Sequence, residues 1–183
     1  MKAISFFFAI VIATVLFSSC DQFDEKRFST TIPYTFEVSA TTDNNGEATI
    51  DLNGLIDALE LNANLAEVKD KIQRYELIDI KYKVFEYYDS PATTLNGSIG
   101  FGNKNMTEAG TTFLLNDISL QSSMDNADPV KIDFVSAEVA NIQQYFLDTN
   151  GMKLFLKGLV SQTPVHFKFY LQVDVDAIAE VKK

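Results

Sequence analysis

Val165-His166-Phe167-Lys168-Phe169-Tyr170-Leu171-Gln172-Val173-Asp174-Val175-Asp176 alternates without a break. Every odd-numbered residue is apolar and the even-numbered ones are mostly polar. A period of two places all the odd positions on one face of a β-strand. Six apolar side chains on one face suit a long strand lying across the core of a sandwich or barrel. A slip of one residue would expose all six, so the pairing of this strand is strongly specified.

The same period recurs upstream. Ile32, Tyr34, Phe36 and Val38 alternate with Thr31, Pro33, Thr35 and Glu37. Asp43-Asn44-Asn45-Gly46 carries the residues of a hairpin turn, with glycine free to take positive φ. Ala48, Ile50 and Leu52 continue the alternation beyond it. Ile78, Ile80, Tyr82 and Val84 form another strand, and Phe85 and Tyr87 change parity, the mark of a bulge or a change of sheet. Leu95 to Phe101, Thr111 to Leu120, Val130 to Phe134, and Met152, Leu154 and Leu156 supply the remaining strands.

Two segments follow a helical spacing instead. Leu61, Leu65, Val68 and Ile72 lie on one helix face, with Asn64 as cap and Glu67 at the reciprocal position. Val135, Val139, Ile142 and Phe146 repeat that spacing, with Ser136 as cap and Gly151 as stop. Each helix lies between strands, which permits a duplicated plan, although the residues themselves do not repeat. The expected fold is mainly β: one antiparallel β-sandwich-like domain over residues 31–183, of about eight to ten strands with two short helices.

The chain opens MKAISFFFAIVIATVLFSSC. Lys2 is followed by an apolar run from Ile4 to Phe17, then Ser18, Ser19 and the one cysteine, Cys20. A basic start, a short apolar core and small residues at the cut make a signal peptide, and the run is short for a membrane-spanning helix. The segment resembles the signal peptide and lipobox of bacterial lipoproteins, with Phe17 where leucine is usual. Looser forms of that motif occur in the Bacteroidota, and the chain as a whole resembles their small envelope lipoproteins. The resemblance implies cleavage after residue 19, acylation of Cys20 and anchoring in the cell envelope, most readily the outer membrane. Bacterial lipoproteins carry a diacylglycerol, often with a third chain, and two or more acyl chains hold a protein firmly where one does not. Asp21 to Thr30 is charged and unpatterned, so residues 20–30 are expected as the lipidated N-terminus and a tether. The acidic residues after Cys20 loosely resemble a surface-export signal of such lipoproteins.

The formal charge is −10, and it becomes −11 once residues 1–19 and their one lysine are removed. That balance disfavours nucleic acid as a partner. With no cysteine after Cys20, the domain has no disulfide to rely on.

Little in the chain points to catalysis. His166 is the one histidine, on the polar face of the last strand, without partners at zinc-ligand spacing. No nucleophile elbow, dinucleotide fingerprint or phosphate loop is present. Asp43, Asn45 and Glu47 resemble the start of a calcium loop, but Ala48 stands where glycine is required. Asp125-Asn126-Ala127-Asp128-Pro129 reads as an Asx-rich turn. Asp174 and Asp176 share a strand face and read as a solvated pair. Phe155 and Tyr170 occupy faces that otherwise hold Lys and Gln, which makes them candidates for a ligand surface or for burial beneath a loop.

The leading expectation is therefore a lipid-anchored envelope protein without catalytic activity or cofactor, binding or scaffolding a protein or glycan. A carrier of a lipid or small apolar ligand is the alternative, with a cavity lined by Phe167, Phe169, Leu65 and Ile142. A hydrolase is a distant third, and it would need a cleft joining Asp79 or Glu86 to His166.

Overall fold

A computed structural model describes residues 23–41 and 46–182. The signal segment, Cys20, Asp43, Asn44 and Asn45 lie outside the described residues. Eight strands form two four-stranded sheets in which all pairs are antiparallel. The first sheet has the order β1 (Phe23–Ala40), β8 (Val165–Lys182), β3 (Ile72–Phe85), β6 (Val130–Lys131). The second has the order β2 (Ala48–Asp57), β7 (Gly151–Val160), β4 (Thr94–Gly102), β5 (Thr111–Ser119). The fold is an antiparallel β-sandwich, as the alternating patterns predict.

Strand β8 lies inside the first sheet. It pairs with β1 along its whole length, from Phe23 opposite Lys182 to Ala40 opposite Val165, and with β3 on its other side. Val165, Phe167, Phe169, Leu171, Val173 and Val175 are all buried against the second sheet. Phe169 stacks on Tyr82 of β3 with ring centroids 5.5 Å apart.

Strands β1 and β2 do not form the hairpin expected across residues 43–46. Strand β1 pairs with β8 and β2 with β7, so the connection crosses from one sheet to the other. Gly46 does take the expected positive φ, +78°. Alternating residues on both strands face the same core, and the pattern alone cannot say which sheet each one joins.

The tether is shorter than expected, because residues 23–30 belong to β1. Phe28 and Thr30 face inward and are buried. Charged residues before them pair across strands: Arg27 with Glu76 and Asp176, and Glu25 with Arg74.

In β3 the parity changes earlier than the sequence implies. The register against β8 shifts between Leu77 and Asp79, and Ile78 is pushed out, 53% exposed. A second change occurs at Glu86, whose φ of 54° returns Tyr87 to the core.

The first expected helix is broken in two: α1 (Ala58–Leu61) and α2 (Ala63–Glu67), followed by a 3-10 turn at Lys69–Lys71. Asn62, not Asn64, caps α2, its side chain accepting from the Leu65 N–H while its amide donates to the Thr30 hydroxyl. A short helix not foreseen, α3 (Leu120–Asp125), places the Ser123 hydroxyl where it accepts the Val84 N–H at the open edge of β3. Helix α4 (Ser136–Thr149) buries Ile142 and Phe146 as expected. Its first cap is Val135, whose N–H donates to the Glu138 carboxylate, so Ser136 is already helical. Asn150, at φ 54°, ends it in place of Gly151, which begins β7.

Gly97 and Gly158 face each other where β4 meets β7. A Cβ on Gly97 would lie 2.1 Å from the Lys157 carbonyl oxygen and 2.6 Å from the Gly158 Cα. Both are backbone atoms that cannot yield without parting the strands. Gly97→Ala is expected to cost about 2–3 kcal/mol, in the range of overpacked cores. Urea denaturation checks this, and a cost below about 0.5 kcal/mol, typical of a neutral surface change, would contradict it.

Candidate functional site

The richest arrangement of polar groups lies on the outer face of the first sheet, built from outward-facing residues of β1, β8 and β3. At the N-terminal end of β1 an ion-pair ladder crosses the three strands. Arg27 reaches Asp176 at 2.5 Å and Glu76 at 2.8 Å, and Arg74 reaches Glu25 at 2.9 Å and Glu76 at 3.2 Å.

Above the ladder an open depression of about 410 Å³ is walled by Ser29, Thr31, Ile78, Gln172, Asp174 and Asp176. The Thr31 hydroxyl donates to Asp174 at 2.7 Å, and the Gln172 amide donates to both carboxylate oxygens of the same residue. Asp174 stands directly opposite Asp79 of β3. Two carboxylates in cross-strand contact repel each other. Lys81 bridges them, 3.1 Å from Asp79 and 3.8 Å from Asp174, and Lys131 lies 3.4 Å from Asp79. On the other side of Ile78 a second depression, about 210 Å³, includes Lys131, Asp133, Phe134 and Val139. Ile78 is thus an apolar ridge between two hollows rimmed by hydroxyl, amide and carboxylate groups.

Asp176 and Asp57 are two of the depressed carboxylates of the domain, beside Glu25, which Arg74 holds low. Burial pushes the Asp176 carboxyl upward, but hydrogen bonds from Ser29 and Arg27 and the Arg27 charge outweigh it and hold it low. At Asp57 burial again opposes, and is outweighed by the Lys104 ammonium at 2.5 Å and by the backbone N–H groups of Leu59 and Glu60 at the start of α1. With native pKa values below the unfolded ones, the unfolded chain takes up the protons first. The stabilisation is full above about pH 4 and drains as pH falls through the native values. Between pH 5 and about pH 2 the urea midpoint should therefore fall further for wild type than for Asp57→Asn/Asp176→Asn. Parallel profiles would contradict the assignment.

The sequence candidates scatter over the fold. Tyr170 lies half-buried on the same outer face, edge-on to Phe85 with its hydroxyl 3.3 Å from Gln172. Phe155 is not available to a ligand. It points outward from β7 but is only 3% exposed, beneath the β4–β5 loop, where Ala109 and Phe155 close over Gly100. His166 is exposed at the far end of β8, its backbone N–H donating to Asp89. Asp79 is opposite Asp174, eight residues along β8 from His166, or roughly 26 Å at strand rise. Glu86 is held by Lys168 at 2.7 Å. Asp79 and His166 therefore do not share a cleft. Phe167, Phe169, Leu65 and Ile142 have no accessible surface and pack in the common core, so no water-sized space adjoins them. Asp125 ends α3 and Asn126 caps it, and Asp128 precedes β6. Among the described residues no cluster of His, Cys, Asp and Glu has metal-site geometry, and no helix is long and apolar enough to cross a membrane.

The role of Ile78 was not legible in the sequence, where it continues the apolar parity of Ile80, Tyr82 and Val84. Only the register against β8 shows it turned outward.

No family model matches the chain, and no curated protein matches it. Among solved structures it is similar to that of Desmodium yellow mottle tymovirus, at 13% identity and a TM-score of 0.35, over 85% of this chain and 84% of that one. Turnip yellow mosaic virus gives 10% identity and 0.38, over 86% and 97%. The semi-empty virus-like particle of the giant freshwater prawn Macrobrachium rosenbergii nodavirus gives 10% and 0.36, over 91% and 99%. Likeness at this level bears on neither function nor partners.

Proposed function

We propose that the chain is a lipid-anchored envelope protein whose sandwich binds a second envelope component, without catalysis, through the outer face of its first sheet. The observation that carries the anchor is the placement of Cys20. It ends a segment that resembles a lipoprotein signal, and only Asp21 and Gln22 separate it from the first residue of β1. Acyl chains on Cys20 would hold a folded domain rather than a loose peptide.

Ile78 supports the choice of surface. A large apolar side chain, held out by a bulge between two polar-rimmed hollows, offers a partner both area to bury and groups to hydrogen-bond. The test is photocrosslinking in the producing cells, with a photoreactive residue at Ile78 or, as control, at the exposed Asp51 of the opposite sheet. A discrete adduct from position 78 and none from position 51 is the expected result. The same adducts from both positions, or none from either, would overturn this use of the face.

A further inference from the structure

We infer that a second copy of this chain docks at β5, the two β5 strands pairing antiparallel across a two-fold axis so that the second sheet continues from one copy into the other. Among the described residues the two sheets end in four edge strands: β1, β6, β2 and β5. An edge strand presents a row of unpaired backbone N–H and C=O groups. Charges, proline, shortness or cover keep such a row from recruiting another chain. Three of the four edges have these devices. Strand β6 has only two residues. Strand β1 carries Pro33 with Glu25, Lys26, Arg27 and Glu37, and the Asn62 amide donates to its Ser29 carbonyl. Strand β2 carries Asp51 and Asp57, and Tyr34 lies against it at Gly54.

Strand β5 differs. Its run Thr111-Thr112-Phe113-Leu114-Leu115 has no charge, proline or glycine, and it pairs residue for residue with β4 from Phe101 back to Gly97. A neutral run rich in β-branched and aromatic residues favours strand pairing. The one charged residue of the strand, Asp117, lies beyond the run. It sits in a bulge at φ 48°, where it exchanges hydrogen bonds with Asn96. Leu114 is 65% exposed on the outer face. On the inner side Phe113 is half-buried against Phe134, and the next residue, Val135, is again 65% exposed.

Charge and symmetry identify the occupant. A basic or acidic segment would find no counter-charge on this run. Two copies of a chain at −10 repel, and they repel least where the meeting surfaces are neutral. Set antiparallel about Phe113, the run is its own complement. Phe113 meets Phe113, Thr112 meets Leu114 on the outer face, Thr111 meets Leu115 on the inner, and no charge stands opposite a like charge. Such an isologous pairing closes on itself and leaves neither β5 edge open.

The experiment uses the full chain in its producing cells, with a photoreactive residue at Leu114 or, as control, at Asp51 on the β2 edge. A self-adduct of twice the chain mass is expected from position 114, joined near residue 112 of the second copy, and none from position 51. Thr112→Lys puts a charge opposite position 114 and should cut that adduct about tenfold. Thr112 is exposed, so this variant should melt with wild type. No adduct from 114, an adduct with a different protein, equal self-adducts from 114 and 51, or a self-adduct indifferent to Thr112→Lys overturns the pairing. Adducts from position 78 report on the other sheet, so either surface can fail while the other stands.

Discussion

Phe169→Ala is expected to cost about 3–5 kcal/mol, the range for emptying a buried aromatic site. Phe169 has no exposed surface, stacks on Tyr82, and sits between Phe36 of β1 and Val84 of β3 in the middle of the first sheet. The cavity would open where three strands and the facing sheet meet, and none of the four can close it without losing register. Domains of this size are stable by roughly 5–15 kcal/mol, so the loss is a large share of the total. The melting temperature should drop by roughly 6–20 °C. Lys168→Ala is the control. It is the adjacent residue on the opposite face, and its solvent-screened pair with Glu86 is expected to contribute little. Urea denaturation followed by tyrosine fluorescence measures both, since the chain has seven tyrosines and no tryptophan. Equal costs at 168 and 169 would mean that β8 does not divide an inside from an outside.

Cys20→Ala is expected to abolish acyl labelling and release the protein from the membrane fraction, while its melting curve stays that of wild type. The first part follows from the proposed anchor, because no other cysteine can take the acyl group. The second follows from the fold. The described sandwich begins at Phe23, and its core is drawn from residue 28 onward. Cell fractionation with a labelled fatty acid, alongside a melting curve, reads both. Unchanged membrane retention would show that the apolar segment holds the chain as an uncleaved helix.

What the sequence revealed depended on which interactions leave a periodic trace. Strand β8 was legible because six of its side chains are buried on one face, and the inner halves of β1, β4 and β7 were legible for the same reason. Residues 23–30 of β1 were not. Their pairing is supported by Arg27 and Glu25 reaching Asp176 and Arg74, contacts between residues far apart in sequence. Ile78 shares the apolar parity of Ile80, Tyr82 and Val84, and its outward turn is hidden because a bulge is a property of two strands while the sequence presents one at a time. The break at Asn62 depends on its bond to Thr30, again across the fold. The two readings of Phe155, a ligand surface or burial beneath a loop, stay open in the sequence because nothing in β7 shows that the loop after β4 folds back over it. The hydrophobic skeleton was thus readable from the chain, and the outer face, where the proposed binding surface lies, was not.

Cys20 as the first residue of a lipidated chain is tested most directly by the intact mass of the protein extracted from the membranes of its producing cells. The predicted result is a chain that begins at Cys20 and carries a diacylglyceryl group on it, with or without a third acyl chain. A chain that retains residues 1–19, or one that begins at Cys20 with a free thiol, would contradict it.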